Sequence, residues 1–570
     1  MQNSSSLPIS GYPDSSIASK SHNVTSMCMT MVGMVLVSVI VGVIWKVVRC
    51  IWWRPLMLER AMRRQGMQGP APLFMIGNYV EIMKLEEMEL ATDMGGLRHD
   101  ILQRMLPYYT KWSKTYGEKF VFWEASEPRI VVTEPELIRE VFSAKCALAY
   151  GKSFIHQRCC EHFLGKGVVM ANGESWARQR RIIAPAFHID KLKGLAGVMT
   201  KCTEQLISKW GEMVGDMKQV EVDVASDLRM LTADIIACTE FGSSYEQGKR
   251  IFDLLTSLQK LTLQFAHFVW LPGSRFLPTS WNWEIWRLKR EMENLLKEII
   301  QERRDLVSVG KIGSYGKDLL GLMLAESEGK FCDLDDVNCN NTNGNSANNQ
   351  NNLKSQFKPK FTTQQIMDEC KTFFFAGHET TAGLLTWSML LLAANPEWQE
   401  KAREEVFDVL GEKGDNLPEA ETLHKLKILG MIINETLRLY PPAIVITRYA
   451  LMDMKLGDMF IPKGSSVWIP VLAMHLDQEL WGEDASQFKP QRFEQGIARA
   501  CKHPLAYMPF AFGPRNCVGQ TFALMEAKIV LSMILRKYRF TLAPSYRHAP
   551  VTMLTLKPKH GAQVILQKIL

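Results

Sequence analysis

One loop constrains the fold of this 570-residue chain more than any other feature, because it combines a cysteine with glycine, proline and arginine. Residues 510–520 read FAFGPRNCVGQ, and an amphipathic segment follows that predicts a helix beginning just after Cys517. The dipole and unpaired amides of that helix terminus favour the thiolate form of Cys517. A lone cysteine is ordinarily a buried thiol. The spacing F-x-x-G-x-R-x-C-x-G instead predicts a soft ligand for haem iron, with Arg515 for a haem carboxylate.

A second motif interrupts a long apolar segment. Residues 365–394 predict a mostly buried helix, and residues 376–381 within it read AGHETT. An acid and an alcohol in such a helix are costly unless they line a cavity or bond locally to the backbone. Glu379 and Thr380 are therefore candidates for a polar site, with back-bonded or capping side chains as the alternative. His378 is expected to face away, as a packed or solvated side chain.

Three further groups of residues have ordinary interpretations when taken alone. Glu435 and Arg438 stand at i and i+3 on one predicted helix face, where an isolated ion pair contributes about 0.2–0.5 kcal/mol. Trp176 and Arg180 stand at i and i+4, as a core aromatic and a solvated charge would. The segment FKPQRF adds Arg492.

Taken together, these motifs resemble those of the cytochrome P-450 monooxygenases, and the resemblance extends from the N-terminal apolar segment to Leu570. It implies a mainly α fold with small β-sheets, preceded by a single N-terminal transmembrane helix. It also implies a haem b cofactor whose iron has Cys517 as its axial ligand. The other cofactor-binding side chains that it implies are Arg515, Trp176, Arg180, Arg448, Phe510 and Gly513. The resemblance also implies that Glu379 and Thr380 handle oxygen and protons. It implies that Glu435, Arg438 and Arg492 form a structural triad.

The resemblance implies a reaction as well. Such enzymes insert one oxygen atom from O2 into an unactivated C–H bond, with electrons from NADPH delivered by a partner reductase that carries FAD and FMN. Two other functions are open: a haem-thiolate isomerase or dehydratase that uses a preformed peroxide, and a non-catalytic haem or gas sensor. The intact Thr380 and cysteine loop speak against the first, and the lack of a recognisable output domain speaks against the second. A net charge of +7 is too small to indicate a nucleic-acid partner.

Four stretches resemble the plant clan of this family that modifies hormones: 97–109, 255–259, 272–278 and 368–375. Within that clan the overall similarity is greatest to cytokinin trans-hydroxylases, which hydroxylate the isopentenyl chain of adenine-type cytokinins. The rival is the branch that inactivates brassinosteroids by side-chain hydroxylation, which residues 430–435 and 499–505 resemble. That branch lacks the acid at the position of Glu379, so the acid favours a cytokinin. A hydroxylase of another terpenoid or of a fatty-acid-derived substrate is a further alternative.

By the same resemblance, a small hydrophobic hormone would contact residues 147–160, residues 264–270, the helix before Gly377 and residues 443–447. Residues 443–446 are apolar and suit an isoprenoid tail or a sterol side chain alike. A purine would need polar partners as well, and the sequence does not identify them.

The N-terminal region predicts a membrane anchor. Residues 27–45 are apolar and uncharged, and as a helix they would be about 28 Å long, close to the hydrocarbon thickness of a bilayer. A cleaved signal peptide would be shorter and would follow a basic segment. Basic residues exceed acidic ones between positions 46 and 64, which places the following domain in the cytosol. With the resemblance, this predicts a single-pass protein of the endoplasmic reticulum membrane, with a lumenal N-terminus.

The expected organisation is a lumenal tail (1–26), the anchor (27–48), a basic linker with a Pro/Gly hinge (49–72), and one haem-thiolate domain (73–570). Hydrophobic residues make up 46% of the chain and charged residues 22%, the balance of a globular protein rather than of a disordered one. Residues 338–352 are Asn-rich and predict a disordered surface loop. Residues 129–133 and 466–470 predict strands, and residues 286–304 predict a helix.

Overall fold

The fold is taken from a computed structural model, which describes residues 15–242, 245–265, 273–311, 314–316, 318–328, 361–411 and 417–569. The Asn-rich stretch 338–352 and residues 266–270 of the expected substrate region lie outside the described residues.

Helices dominate the described residues, as the sequence predicted. The N-terminal half contains α1 Ser15–Val48, α2 Arg54–Arg64, α3 Tyr79–Leu90, α4 Leu102–Met105, α5 Pro107–Tyr116, α6 Pro135–Val141, α7 Phe154–Leu164, α8 Gly173–Ile183, α9 Ile189–Lys193, α10 Ala196–Val214, α11 Val224–Glu240 and α12 Tyr245–Gln264. The C-terminal half contains α13 Ser280–Ser308, α14 Leu319–Ser327, α15 Thr363–Ala394, α16 Pro396–Leu410, α17 Lys427–Leu439, α18 Val471–His475, α19 Gln478–Trp481 and α20 Gln520–Lys537.

The strands of the described part of the chain form four small sheets. Their bounds are β1 Val121–Glu124, β2 Glu127–Val131, β3 Tyr150–Gly151, β4 Gln219–Asp223, β5 Ile446–Ala450, β6 Met454–Leu456, β7 Met459–Ile461, β8 Ser466–Ile469, β9 Tyr538–Leu542, β10 Pro550–Thr552, β11 Leu556–Pro558 and β12 Gln563–Lys568. The largest sheet has the order β1-β2-β8-β5-β3, and a second has the order β4-β12-β9. The two strands predicted from sequence are neighbours in the first sheet, where Arg129 pairs with Ser466 in the parallel β2–β8 ladder.

Helix α15 is buried along most of its length, because nearly all of its side chains are apolar or enclosed by neighbouring helices. A capping box fixes its start: Thr362 accepts a hydrogen bond from the Gln365 N–H, and the Gln365 side chain accepts one from the Thr362 N–H. Pro396 begins the next helix and prevents α15 from continuing. Helices α11 and α20 pack against α15, and α20 carries the cysteine loop at its start.

The N-terminal helix α1 contains a 20-residue apolar segment, Met29–Val48, that is long enough to cross a membrane. None of this segment is buried against the rest of the chain, and its described side chains are exposed. A helix that is apolar and unpacked suggests a membrane anchor. The boundaries expected for the tail, anchor and linker stay a prediction.

Candidate active site

Cys517 lies in the loop that precedes α20, which begins at Gln520. A 3₁₀ turn over Gly513–Arg515 and a hydrogen bond of 2.9 Å from the Cys517 N–H to the Phe510 carbonyl oxygen shape this loop. Gly513 has a φ of +69°, and a Cβ atom there would stand 1.9 Å from the carbonyl oxygen of Phe142. Only glycine fits that conformation and that contact. The loop is therefore tightly constrained, with Cys517 lining an internal cavity.

We call the cavity in front of Cys517 the thiol cavity. Helix α15 forms another of its walls with Ala376, Gly377 and Thr380. Thr380 Oγ1 donates a hydrogen bond of 2.7 Å to the Ala376 carbonyl oxygen of its own helix. The same residue also lines the cavity. A Cβ atom on Gly377 would lie 2.3 Å from Cδ1 of Ile236. Glycine at this position therefore allows Ile236 of α11 to pack closely against α15.

The thiol cavity is rich in positive charge. Among the described residues, no acidic side chain lines it, whereas four basic ones do: Lys152, Arg180, Arg448 and Arg515. Burial, together with Arg515, lowers the pKa of Arg448 to about 10. Burial lowers the pKa of Lys152 to about 8, with further lowering by Arg448, Arg515 and Arg129. Cations that depress one another's pKa in this way are stabilised by an anion.

Arg515 and Arg180 occupy defined positions in this wall. The Arg515 Nε donates to the Ala147 carbonyl oxygen over 2.9 Å, while its Nη2 is buried and has no hydrogen-bond partner among the described residues. Arg180 donates to the carbonyl and side-chain oxygens of Asn516 over 2.9 Å and 2.8 Å. Arg180 thereby ties α8 to the cysteine loop, and Arg515 leaves one donor for a ligand.

The Cys517 thiol differs from the expectation of a stabilised thiolate. Burial raises its pKa above the ordinary value, although the Gly519 N–H and Arg180 act in the opposite direction. The effect of burial therefore outweighs these two favourable contributions. A metal ion at the sulfur would supply a positive charge that stabilises the thiolate, because a coordinated thiol is deprotonated.

Glu379 takes a different direction from its neighbour Thr380, because adjacent helical residues point about 100° apart. It does not line the thiol cavity. Its carboxylate lies 3.5 Å from Arg229 Nη2 and 3.8 Å from Lys557 Nζ, and it accepts a hydrogen bond of 3.3 Å from Thr555 Oγ1. Burial alone would raise the pKa of Glu379, but these cations, with His378, hold it below its ordinary value. The carboxylate is thus ionised behind the cavity wall.

His378 is packed, as expected. Its ring is buried, and Nδ1 lies 2.5 Å from the Phe374 carbonyl oxygen. Its pKa is lowered by burial, so the ring is neutral near pH 7.

The charged residues Glu435, Arg438 and Arg492 meet away from the thiol cavity. Glu435 and Arg438 are fully buried, and two hydrogen bonds of 2.7 Å join the carboxylate to the guanidinium. Arg492 Nε lies 3.6 Å from the same carboxylate. Arg438 also donates to backbone carbonyl oxygens of the segment before Arg492, at Ala485 and Gln487. The cluster therefore fastens α17 to the chain that leads toward the cysteine loop.

The arrangement of thiol, cations and long helix can be compared with known proteins. Residues 95–566 match the family model described as cytochrome P-450. The chain belongs to the cytochrome P-450 family. It is 45% and 47% identical to two proteins of Arabidopsis thaliana named cytokinin hydroxylase, over 94% of this chain and over 97% and 98% of theirs. A crystal structure of the cytochrome P450DA haem domain superimposes with a TM-score of 0.67 and 25% identity, over 85% of this chain and 95% of that one.

As a cytochrome P-450, the protein is a monooxygenase with haem-thiolate iron, and it uses O2, a hydrophobic substrate and a redox partner. The thiol cavity fits this cofactor. Cys517 offers a soft ligand for iron, and aromatic residues such as Phe510 and Phe522 offer apolar contacts for a flat ring. The orphaned Nη2 of Arg515 and the cations around it match the two haem carboxylates.

A second cavity, of about 620 Å³, shares Cys517, Thr380 and Arg448 with the first, and we call it the access cavity. Of the expected substrate segments, residues 443–447 line it, and Lys152 and His156 line it from the segment 147–160. Polar side chains that the sequence did not indicate as site residues also line it, among them Glu86, Arg104 and Glu124. Nothing in their local sequence marks them, since they come from elements that meet only in the folded chain.

Proposed function

We propose that this cytochrome P-450 hydroxylates cytokinins, placing a hydroxyl in the trans position of the isopentenyl side chain. The observation that carries the proposal is the identity of 45–47% to two proteins named cytokinin hydroxylase over almost the whole chain. The apolar residues 443–446, which line the access cavity beside Arg448, suit an isoprenoid tail. Relatives with other names reach 38–40% identity, so the brassinosteroid and general terpenoid alternatives are not favoured.

The residue roles follow from the two cavities. Cys517 is proposed as the axial ligand of the haem iron, and the basic wall as the site of its carboxylates. Trp176 supports that wall, since Cζ of Arg515 lies 4.0 Å from the centre of its ring. Phe510 contacts the ring system, while Gly513 fixes the loop. Glu435, Arg438 and Arg492 are proposed as structural residues.

Haem bound at Cys517 supplies the activation of O2 that oxygen insertion into an unactivated C–H bond requires. The side chains of the protein position the substrate and deliver protons. Thr380 presents its hydroxyl at the cavity wall, where it holds a water molecule and passes a proton. Glu379 is proposed to bring protons to Thr380 from solvent, because its partner Arg229 is 40% exposed. The apolar residues of the access cavity exclude bulk water around the tail.

Electrons are proposed to come from NADPH through a reductase that carries FAD and FMN. Arg499 and Lys502 are exposed and suit an acidic docking surface on that partner. The enzyme is proposed to sit in the endoplasmic reticulum membrane through α1, with its N-terminus in the lumen. The excess of basic residues after the apolar segment supports this orientation.

The test is turnover by the purified full-length protein with a plant reductase, NADPH and isopentenyl cytokinins. Chromatography and mass spectrometry should identify a product that has gained one oxygen on the side chain, in the trans position. Cys517→Ala should form no product. Oxidation of brassinosteroids without oxidation of any cytokinin would overturn the proposal.

A further inference from the structure

Two cysteine side chains meet where α10 packs on α11. Cys202 lies on α10 and is 9% exposed, and Cys238 lies on α11 and is half-buried. Their thiols are hydrogen-bonded to each other, with the Cys202 S–H as the donor. Neither residue lines the thiol cavity, and the oxygenation chemistry uses neither sulfur. Because the two sulfurs already touch across a pair of packed helices, a disulfide needs only a small approach, to about 2.05 Å.

The Cys238 sulfur is the more reactive of the two. The hydrogen bond from Cys202 and the nearby charge of Lys201 lower the pKa of Cys238 to about 6, although burial acts in the opposite direction. The same hydrogen bond, together with burial, raises the pKa of Cys202. Near pH 7, Cys238 is therefore mostly a thiolate and Cys202 is a protonated thiol. A thiolate that attacks an oxidant and a neighbouring thiol that completes the bond are the two partners that disulfide formation requires.

A cavity of about 470 Å³ leads from the surface to this pair. Cys202 lines the cavity together with Asp234, which stands one helical turn before Cys238 on α11. Met230 lines it as well and is 42% exposed, so the cavity lies at the protein surface. A small polar oxidant can therefore reach the two thiols without passing through the haem site.

We propose that Cys202 and Cys238 are a redox modification site, at which hydrogen peroxide forms a reversible disulfide. The Cys238 thiolate displaces hydroxide from hydrogen peroxide and becomes a sulfenic acid, and the hydroxide takes up a proton from solvent to form water. The Cys202 sulfur then displaces hydroxide from the sulfenic acid, and the Cys202 proton converts this hydroxide to water. In sum, two thiols and one molecule of hydrogen peroxide give one disulfide and two molecules of water.

The position of the pair connects it to the haem site. Ile236, two residues before Cys238, lines the thiol cavity and lies against Gly377 of α15. Helix α10 packs on α20, which carries the cysteine loop at its start. A bond between Cys202 and Cys238 therefore joins the helices behind two walls of the thiol cavity. Hydrogen peroxide forms when O2 takes up two electrons and no substrate is oxidised, so the modification does not depend on which substrate the enzyme uses.

The test exposes the full-length haem-loaded protein to hydrogen peroxide, blocks the remaining thiols with N-ethylmaleimide after denaturation, and maps the digest by mass spectrometry. In the wild type, a pair of peptides joined at Cys202 and Cys238 should form and should separate on reduction. The link should form at least about 10-fold faster than any oxidised form of Cys160, because burial raises the pKa of that thiol to about 11. Diamide takes two electrons and two protons from a dithiol, and it should give the same link without involving the iron.

Three variants separate the roles of the two sulfurs. Cys202→Ser keeps a hydrogen-bond donor beside Cys238 and should leave a sulfenic acid at that position, which dimedone traps. Cys238→Ser should form neither the link nor a sulfenic acid at Cys202. Cys160→Ser, on α7, is the matched control and should form the link at the rate of the wild type.

Two results for the wild type would overturn the assignment, even if none of the variants loads haem. In the first, both Cys202 and Cys238 are recovered as blocked thiols after treatment with hydrogen peroxide and after treatment with diamide. In the second, hydrogen peroxide converts Cys238 to a sulfinic acid and no link to Cys202 forms. Either result leaves the proposed cytokinin hydroxylation standing, because the thiol pair and the substrate site are separate.

Discussion

The guanidinium carbon of Arg515 lies 4.0 Å from the centre of the Trp176 ring, so an aromatic face holds a cavity cation that pairs with no described carboxylate. A partly desolvated contact of this kind contributes about 0.5–2 kcal/mol.

Trp176→Leu should therefore speed haem loss by about 2- to 30-fold, whereas Trp176→Phe should stay closer to the wild type. Transfer of haem to an apoprotein acceptor measures the rate. Trp283→Leu, at a 61% exposed position on α13, is the control. Equal haem loss from all four proteins would contradict the contact's role.

Gly513 should tolerate no side chain. Gly513→Ala places a Cβ atom 1.9 Å from the Phe142 carbonyl oxygen, at a φ of +69° that disfavours alanine. We expect a loss of more than about 1 kcal/mol of stability together with reduced haem content. Thermal unfolding and the absorption of thiolate-bound haem provide the measurements. Gly197→Ala is the control, because that helical glycine has open space around the added Cβ atom and should be neutral or stabilising.

Removal of the Thr380 hydroxyl should separate oxygen use from product formation. Thr380→Ala should bind haem and consume NADPH, but release hydrogen peroxide instead of hydroxylated product, since the group that positions a proton at the cavity wall is gone. Thr380→Ser keeps the hydroxyl and should retain most of the coupling. The ratio of product to NADPH consumed measures the effect. Full coupling in Thr380→Ala would exclude the proposed proton transfer.

The buried Glu435–Arg438 pair should be essential for folding rather than for chemistry. Glu435→Gln leaves a fully buried guanidinium without its carboxylate, and loss of one partner of such a pair costs about 3–5 kcal/mol. We expect a large drop in thermal stability and in expressed haem protein. Glu284→Gln removes the partner of Arg287 on an exposed helix face and should leave the melting temperature unchanged. Equal melting temperatures for the two variants would contradict the structural assignment.

The sequence predicted those parts of the site that are local in the chain. The loop around Cys517 and the helix with Thr380 each carry their signal within about ten residues, and so do Glu435 and Arg438 on one helix. The two predicted strands were also correct, and they pair with each other in the largest sheet. Such features depend on spacing and turn chemistry, which a sequence displays directly.

The rest of the site depends on contacts between distant segments. Glu86 and Tyr108 approach one another because α3 packs on α5, and Glu379 is ionised because Arg229 and Lys557 come from α11 and β11. The raised pKa of Cys517 likewise reflects the protein atoms that other segments place around the thiol. Packing of this kind leaves no periodic pattern in any one segment.

The most direct measurement adds cytokinins, and then brassinosteroids, to the purified ferric full-length protein and records the haem spin state. The proposed function predicts a saturable shift from low to high spin with isopentenyladenine or its riboside, and no shift with brassinosteroids. A shift with brassinosteroids alone would contradict the proposed substrate.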